Sequence, residues 1–289
     1  MTMSRLVTFR LSSSLAYGLA CLTTALTVSA AAQSACKTVA HKTVVAGKAI
    51  DGSTLRLDDG SDVRLVGIIP PQTPRWWKSE KPWPPADAAR RVLEQLVTSA
   101  TLELRFAAGE AQQDRHERAL AHVFVLRGEE RVWAQAHMIS TGSARAVSFA
   151  GHRACARDLQ HVEHGARAAR VGLWGKGSFA ALKADSVEKL SKKRASFQLV
   201  EGVVRSVGKA RQWTFLNFAD DWRSDFTIAI AAKDRRRFRG SDIDLERLAG
   251  KSVRVRGWLE SWNGPVIKVT HPEQIELLEG LERDHSSRQ

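Results

Sequence analysis

Cysteine is scarce in this sequence, with three in 289 residues, at Cys21, Cys36 and Cys155. A disulfide-dense scaffold is thereby excluded, and a hydrophobic core has to hold the fold. Acidic residues are short as well, 31 against 44 Lys and Arg, which leaves a net charge of +13. Long apolar runs are missing except for one, residues 11–31. Arg5 and Arg10 precede that run, Ala30-Ala31-Ala32 closes it with a small-residue cleavage pattern, and no stop-transfer charges follow closely. These features read residues 1–32 as a secretory signal peptide, with an uncleaved anchor as the alternative. Neither Cys21 nor Cys36 has a Leu three places before it, so a lipoprotein signal is excluded. The expected mature protein has no membrane span and is exported, to the periplasm or beyond the cell.

Once Cys21 leaves with the signal, Cys36 and Cys155 remain in an oxidising compartment. They are expected to form a disulfide closing a loop on the order of 100 residues, worth roughly 4 kcal/mol in the chain-entropy model. Two unrelated buried thiols are the alternative. The positive charge is uneven: residues 33–196 hold 26 basic against 17 acidic side chains, and residues 197–289 hold 16 against 14. Basicity therefore gathers in the first half, as suits a polyanion such as nucleic acid, although anionic lipid or cell-wall polymer carries the same charge.

Alternation of apolar and polar residues places strands at 43–50, 53–57 and 62–69. Asp58-Asp59-Gly60-Ser61 joins the last two, because Gly accepts the positive φ of a tight hairpin turn. A loop at 70–85 carries Trp76, Trp77 and Trp83; the Trp76-Trp77 pair is read as pinning that loop against the body. A helix follows at 86–99 with Ala89, Val92, Leu93 and Leu96 on one face, then strands at 101–106 and 119–126. Residues 130–140 and 155–171 read as closing helices ended by Gly142 and Gly172. Residues 177–196 read as a solvated basic linker, partly helical. Beyond them come strands at 199–207, 213–218, 225–231, 251–260 and 265–270, with a helical segment at 242–249, and a polar tail at 281–289.

Two phrases carry a family likeness. The first is Asp51-Gly52-Ser53-Thr54 running through the hairpin to Arg64-Leu65; the second is Asp114 through Arg118-Ala119-Leu120-Ala121. Together they resemble the thermonuclease (staphylococcal nuclease-like, SNase-like) family. The resemblance implies an α+β protein, mainly β with helices, whose residues 36–176 form a five-stranded oligonucleotide-binding (OB-type) barrel. It also implies that Arg64 and Arg118 are catalytic, gripping the scissile phosphate; ion pairing with Asp114 or Glu117 is the alternative. Residues 197–280 resemble a second OB-type barrel appended to exported proteins of this kind.

Calcium is the family's cofactor, held in DGDT and DTPE-type phrases. In this sequence those phrases read Asp51-Gly52-Ser53-Thr54 and Ile69-Pro70-Pro71-Gln72. A hydroxyl and an aliphatic side chain stand in ligand positions, and an amide stands where the family has its general base. Calcium requires several oxygen ligands with carboxylates among them, and an amide accepts no proton at neutral pH. No calcium and no other metal is therefore expected. Asp114 and His116 could offer a different site, and Glu80 or Glu117 a displaced carboxylate, which keeps hydrolysis by an altered mechanism open. Trp213, Phe215 and Trp262 are read as nucleic-acid-stacking residues, with packing in the core as the alternative for about half the aromatics of this region. Three functions follow: a phosphodiester hydrolase, a module that binds DNA or RNA without cutting it, and an envelope protein that contacts protein or glycan.

Overall fold

The computed structural model describes residues 36–221 and 225–278. The signal at 1–32 and the tail at 281–289 lie outside the described residues. The described chain is mostly β with few helices, arranged as two large sheets and one two-stranded pair. No described helix is long and apolar enough to cross a membrane.

The first sheet is built on β1 (Thr38–Asp51), which starts five residues earlier than the alternation suggests. Its first half pairs with β5 (Thr101–Ala107), and its second half pairs with β2 (Thr54–Leu57) after a register shift between Ala46 and Lys48. β3 (Asp62–Leu65) returns from the expected turn, where Gly60 sits at φ +82° and the Asp59 carboxylate accepts from Ser61 N–H at 3.0 Å. β3 then pairs in parallel with β6 (Ala119–Arg127), placing Arg64 opposite Leu120. Arg64 and Arg118 are thus brought together by strand register, although 54 positions separate them in sequence.

One expected helix is in part a strand. Residues Glu130–Trp133 form β7, which pairs with β6, and only Ala134–Ser140 are helical (α2). Gly128 at φ +61° turns the chain, and Trp133 stacks on Phe124 at 5.9 Å, so cross-strand packing overrides helical periodicity there. The sheet consequently has six strands rather than five. α1 (Pro84–Val97) covers it with Ala89, Leu93, Leu96 and Val97. A two-residue pair, β4 (Ile68–Ile69) with β8 (Arg145–Ala146), and α3 (Ala156–Ala168) complete this half. Cys36 and Cys155 are disulfide-bonded, Cα atoms 4.7 Å apart, tying the approach to β1 to the start of α3.

The stretch 177–196 is anchored at a few points. β9 (Leu182–Lys183) pairs with β10 (Phe197–Val203), Phe179, Ala184 and Leu190 are buried, the last on α4 (Val187–Lys192), and the charged side chains, Lys192-Lys193-Arg194 among them, are exposed. The expected strand at 199–207 breaks into β10 and β11 (Ser206–Lys209). β12 (Trp213–Asn217), β13 (Thr227–Ala231), β14 (Ser252–Ser261), β15 (Pro265–Val269) and β16 (Ile275–Leu277) complete the second sheet. The helix expected at 242–249 shrinks to one 3-10 turn, Leu245–Arg247, because Asp244 caps Glu246 N–H and Gly250 at φ +79° ends it.

A buried ionic cluster fastens α3 to the second sheet. Arg256 on β14 is 1% exposed; it donates to Glu163 Oε2 on α3 at 2.9 Å and to the Ala146 carbonyl at 2.8 Å, and pairs with Glu276 on β16. Glu163 in turn accepts from Ala146 N–H at 2.8 Å. Arg145 donates to the Phe197 carbonyl at 2.7 Å and lies over the Phe179 and Phe197 rings. Burial alone would raise the Glu276 carboxyl, but Arg256 and Arg254 outweigh it and hold that carboxyl at about 2.

The folded carboxyl lies below its ordinary 4.5, so its stabilisation is present above that value and lost as pH falls toward about 2. Urea denaturation between those limits should show a stability loss that Glu276→Gln flattens. Arg256→Met should cost roughly 3–5 kcal/mol at neutral pH, since it removes the closer of the two guanidiniums that meet the buried Glu163, leaving only Arg167 at 3.4 Å, and takes one of the two that meet Glu276. A loss below about 1 kcal/mol would show that the cluster does not hold the sheets together.

Candidate nucleic-acid interface

β3 ends at a cleft of about 250 Å³ lined by both Arg64 and Arg118. The Arg64 guanidinium makes no hydrogen bond or ion pair among the described residues, whereas Arg118 is held by its own loop. Asp114 Oδ2 accepts from Arg118 Nε at 2.8 Å and pairs with Nη2 at 2.6 Å, while Oδ1 accepts the N–H groups of His116 and Arg118. Burial pushes the Asp114 carboxyl up, but these donors outweigh it and leave it below the ordinary carboxylate value. The loop conformation includes Glu117 at φ +62°, an exposed residue that does not line the cleft.

The positions of the cation phrases are occupied by groups already engaged or without ligand atoms. Asp51 Oδ1 accepts Ser53 N–H at 2.6 Å and Ser53 Oγ–H at 2.9 Å; Oδ2 accepts Thr54 Oγ–H at 3.1 Å. Asp51 therefore serves its own turn, and Ser53 at 2% exposure is buried beneath it. Ile69 is buried in β4, between core and cleft. Gln72 lines the cleft, and its amide donates to the Pro70 carbonyl at 3.1 Å. Glu80 lies outside the cleft lining. His116 is exposed and accepts from Arg115 Nε, and among the described residues it belongs to no group of three metal-type ligands. Among the described residues, one group of three metal-type ligands gathers: Cys36, Cys155 and His122, whose two sulfurs are bonded to each other.

Residues 62–176 match the family model for staphylococcal nuclease homologues. That match covers Arg64, the Asp114–Arg118 loop and α3, and it brings with it the OB fold and a likeness to nucleic-acid-binding nucleases. No curated protein matches the chain.

Two side chains of the cleft, Phe149 and His152, escaped sequence reasoning, and Trp258 joins them from the second sheet. Phe149 is 49% exposed and Trp258, on β14, is 40% exposed, with ring centroids 5.8 Å apart. His152 donates from Nε2 to the Ala111 carbonyl at 2.9 Å. Trp258 stands out by residue type and by its place near the turn after the strand at 251–260, but nothing local to it points toward β3. In the second sheet, Trp213, Phe215 and Trp262 do come together: Trp262 meets Trp213 at 4.9 Å and Phe215 at 5.5 Å. Phe215 and Trp262 line a recess of about 450 Å³, with Trp262 40% exposed. Phe218 instead packs against the core with Phe226. Trp76 pins nothing: it is 70% exposed, and the Trp77 N–H donates within the loop to the Lys81 carbonyl.

Because Arg64 has no partner to lose, Arg64→Ala should leave stability within about 0.5 kcal/mol of the parent. Asp114→Ala should cost about 1–2 kcal/mol, through two backbone donors and a guanidinium left unsatisfied. Urea midpoints decide both, and a destabilised Arg64→Ala would reveal a structural role for that side chain.

Proposed function

We propose that this chain is an exported, nucleic-acid-binding protein of the staphylococcal nuclease-like type, made of two OB-type units at 36–176 and 197–280, that kept the phosphate grip without the calcium cradle. The reading rests on Arg64 and Arg118 sharing one cleft. Two guanidiniums facing one recess can chelate a phosphate through paired N–H donors, a charge-assisted geometry suited to that anion. The Cys36–Cys155 disulfide accords with an oxidising compartment reached through the signal-like segment at 1–32.

The donor set does not fit calcium. Asp51 is the lone carboxylate of the two phrases and is committed to its turn, Ser53 donates into it, and Ile69 has no ligand atom. At the family's general-base position, Gln72 accepts no proton. Arg64 and Arg118 would bind and orient the diester, and no residue of the two phrases activates water. A second reading, hydrolysis without metal, draws on one observation: His152 lines the cleft with Nε2 fixed on a carbonyl, the arrangement that leaves Nδ1 as a proton acceptor.

The test is incubation of the full-length mature protein with single- and double-stranded DNA and RNA, in calcium, magnesium or EDTA. Binding without metal-dependent cleavage is expected, weakening steeply with salt, and Arg64→Ala should lower the log–log salt slope by roughly 0.7 on a single strand. Calcium-dependent cutting would contradict the proposal; EDTA-resistant cutting lost in His152→Ala would favour the second reading. Absence of both binding and cutting would leave contact with protein or glycan.

A further inference from the structure

We infer that the ligand is a single strand whose bases stack along a path crossing from the first sheet onto the second, through Phe149 and Trp258. The inference rests on the phosphate-binding reading of the Arg64 and Arg118 cleft and extends it beyond the matched segment 62–176. Trp258 is the pivot. It lines the same cleft as the two arginines, yet it belongs to β14 of the second sheet.

Strand register shows where the path leads. Leu259 pairs with Ile267, and both face the core, so Trp258 and Glu260 face the other way. Along that outer side, Glu260 pairs with Val266, Lys268 with Ala229, and Ala229 with Phe215. Trp262, just beyond the end of β14, lies against Trp213 and Phe215 on this same side. Val266 and Ala229 are buried on that side, so the exposed link between the guanidinium cleft and the aromatic recess runs along β14 itself, through Trp258, Glu260 and Trp262 with Lys268 beside them. Four residues of extended strand, about 13 Å, separate Trp258 from Trp262.

The chemistry of that surface selects the occupant. Exposed rings stand at both ends, each offering a π-face to any base, at roughly 1–3 kcal/mol per stack. Cations border the path between and beside them. Lys268 pairs with the half-exposed Glu260, and Lys209, lining the recess, pairs with the exposed Glu246. Exposed pairs of this kind contribute about 0–1 kcal/mol, so a phosphate can displace the carboxylate at small cost. A duplex keeps its bases stacked on one another and offers none to these rings. A strand of about four nucleotides or more, with its phosphates toward the basic groups, matches both features.

The experiment is a fluorescence-anisotropy titration of the full-length mature protein with 5′-labelled oligothymidylates of about 2 and about 12 nucleotides, and with a 12-base-pair duplex. The longer strand should bind more tightly than the shorter one and more tightly than the duplex. Trp262→Ala should weaken the 12-mer about ten-fold and leave the 2-mer unchanged, while Arg64→Ala weakens both. Trp258→Ala should weaken the 12-mer about ten-fold to a hundred-fold. Trp258 also touches Phe197, so Phe149→Ala, whose ring stacks only on Trp258 among the described aromatics, serves as the second variant, with a ten-fold loss expected. Parent-like binding of the 12-mer by both Phe149→Ala and Trp262→Ala, with Arg64→Ala still impaired, would overturn the path and leave the phosphate site standing. Arg64→Ala binding both lengths like the parent would overturn the phosphate site itself, and equal affinity for the duplex would overturn the single-strand assignment.

Discussion

Arg256 is the constraint on which the molecule turns. A guanidinium at 1% exposure is tolerable only when its charge is met, and it is met from two directions, by Glu163 on α3 and by Glu276 on β16. The same guanidinium holds the Ala146 carbonyl, and Glu163 holds the Ala146 N–H. Both edges of that peptide are thereby fixed from the side of the second sheet. Ala146 belongs to β8, which pairs with β4, the strand that carries the chain from Arg64 toward Gln72. The ionic cluster thus fixes the floor of the cleft as well as the junction. It also sets the position of β14, and therefore brings Trp258 to the cleft's edge.

The cleft itself separates two jobs that catalysis of phosphodiester cleavage combines. Binding needs positive charge with suitable geometry, and two arginines supply it. Chemistry needs a base and further neutralisation of the phosphoryl oxygens. At Asp51 a carboxylate persists but faces inward on its own turn, accepting Ser53 and Thr54. Ser53 offers no carboxylate there, and its hydroxyl donates to Asp51 and occupies that acid within the turn. Arg118 is steadied by Asp114, while Arg64 is held by no partner among the described residues. An arriving phosphate would find one fixed guanidinium and one free to adjust.

Local chemistry made part of this legible. Asp-Gly between alternating runs identified the β2–β3 hairpin, and apolar periodicity identified α1 through Ala89, Leu93 and Leu96. Cys36 and Cys155 were paired by compartment and elimination, and they are bonded. The errors came where tertiary contacts outvoted local pattern. Val132 and Trp133 join β6 instead of beginning a helix, and Leu190 anchors a segment whose basic composition suggested solvent. The meeting of Phe149, His152 and Trp258 was invisible because it depends on a junction made by residues 110 positions apart, such as Ala146 and Arg256. Sequence periodicity carries no signal over that separation. Trp213, Phe215 and Trp262 could be grouped beforehand only through the barrel likeness, since β13 and β15 lie between β12 and β14 in the sheet.

The central claim is that one buried arginine makes two sheets into a single ligand-bearing surface. Photo-crosslinking to an oligonucleotide carrying 5-iodouracil at every position, followed by peptide mass spectrometry, tests it directly. Crosslinks to the Phe149 peptide and to the Trp262 peptide in the same 1:1 complex are the predicted result. Crosslinks confined to one of the two sheets, at saturating oligonucleotide, would contradict the account.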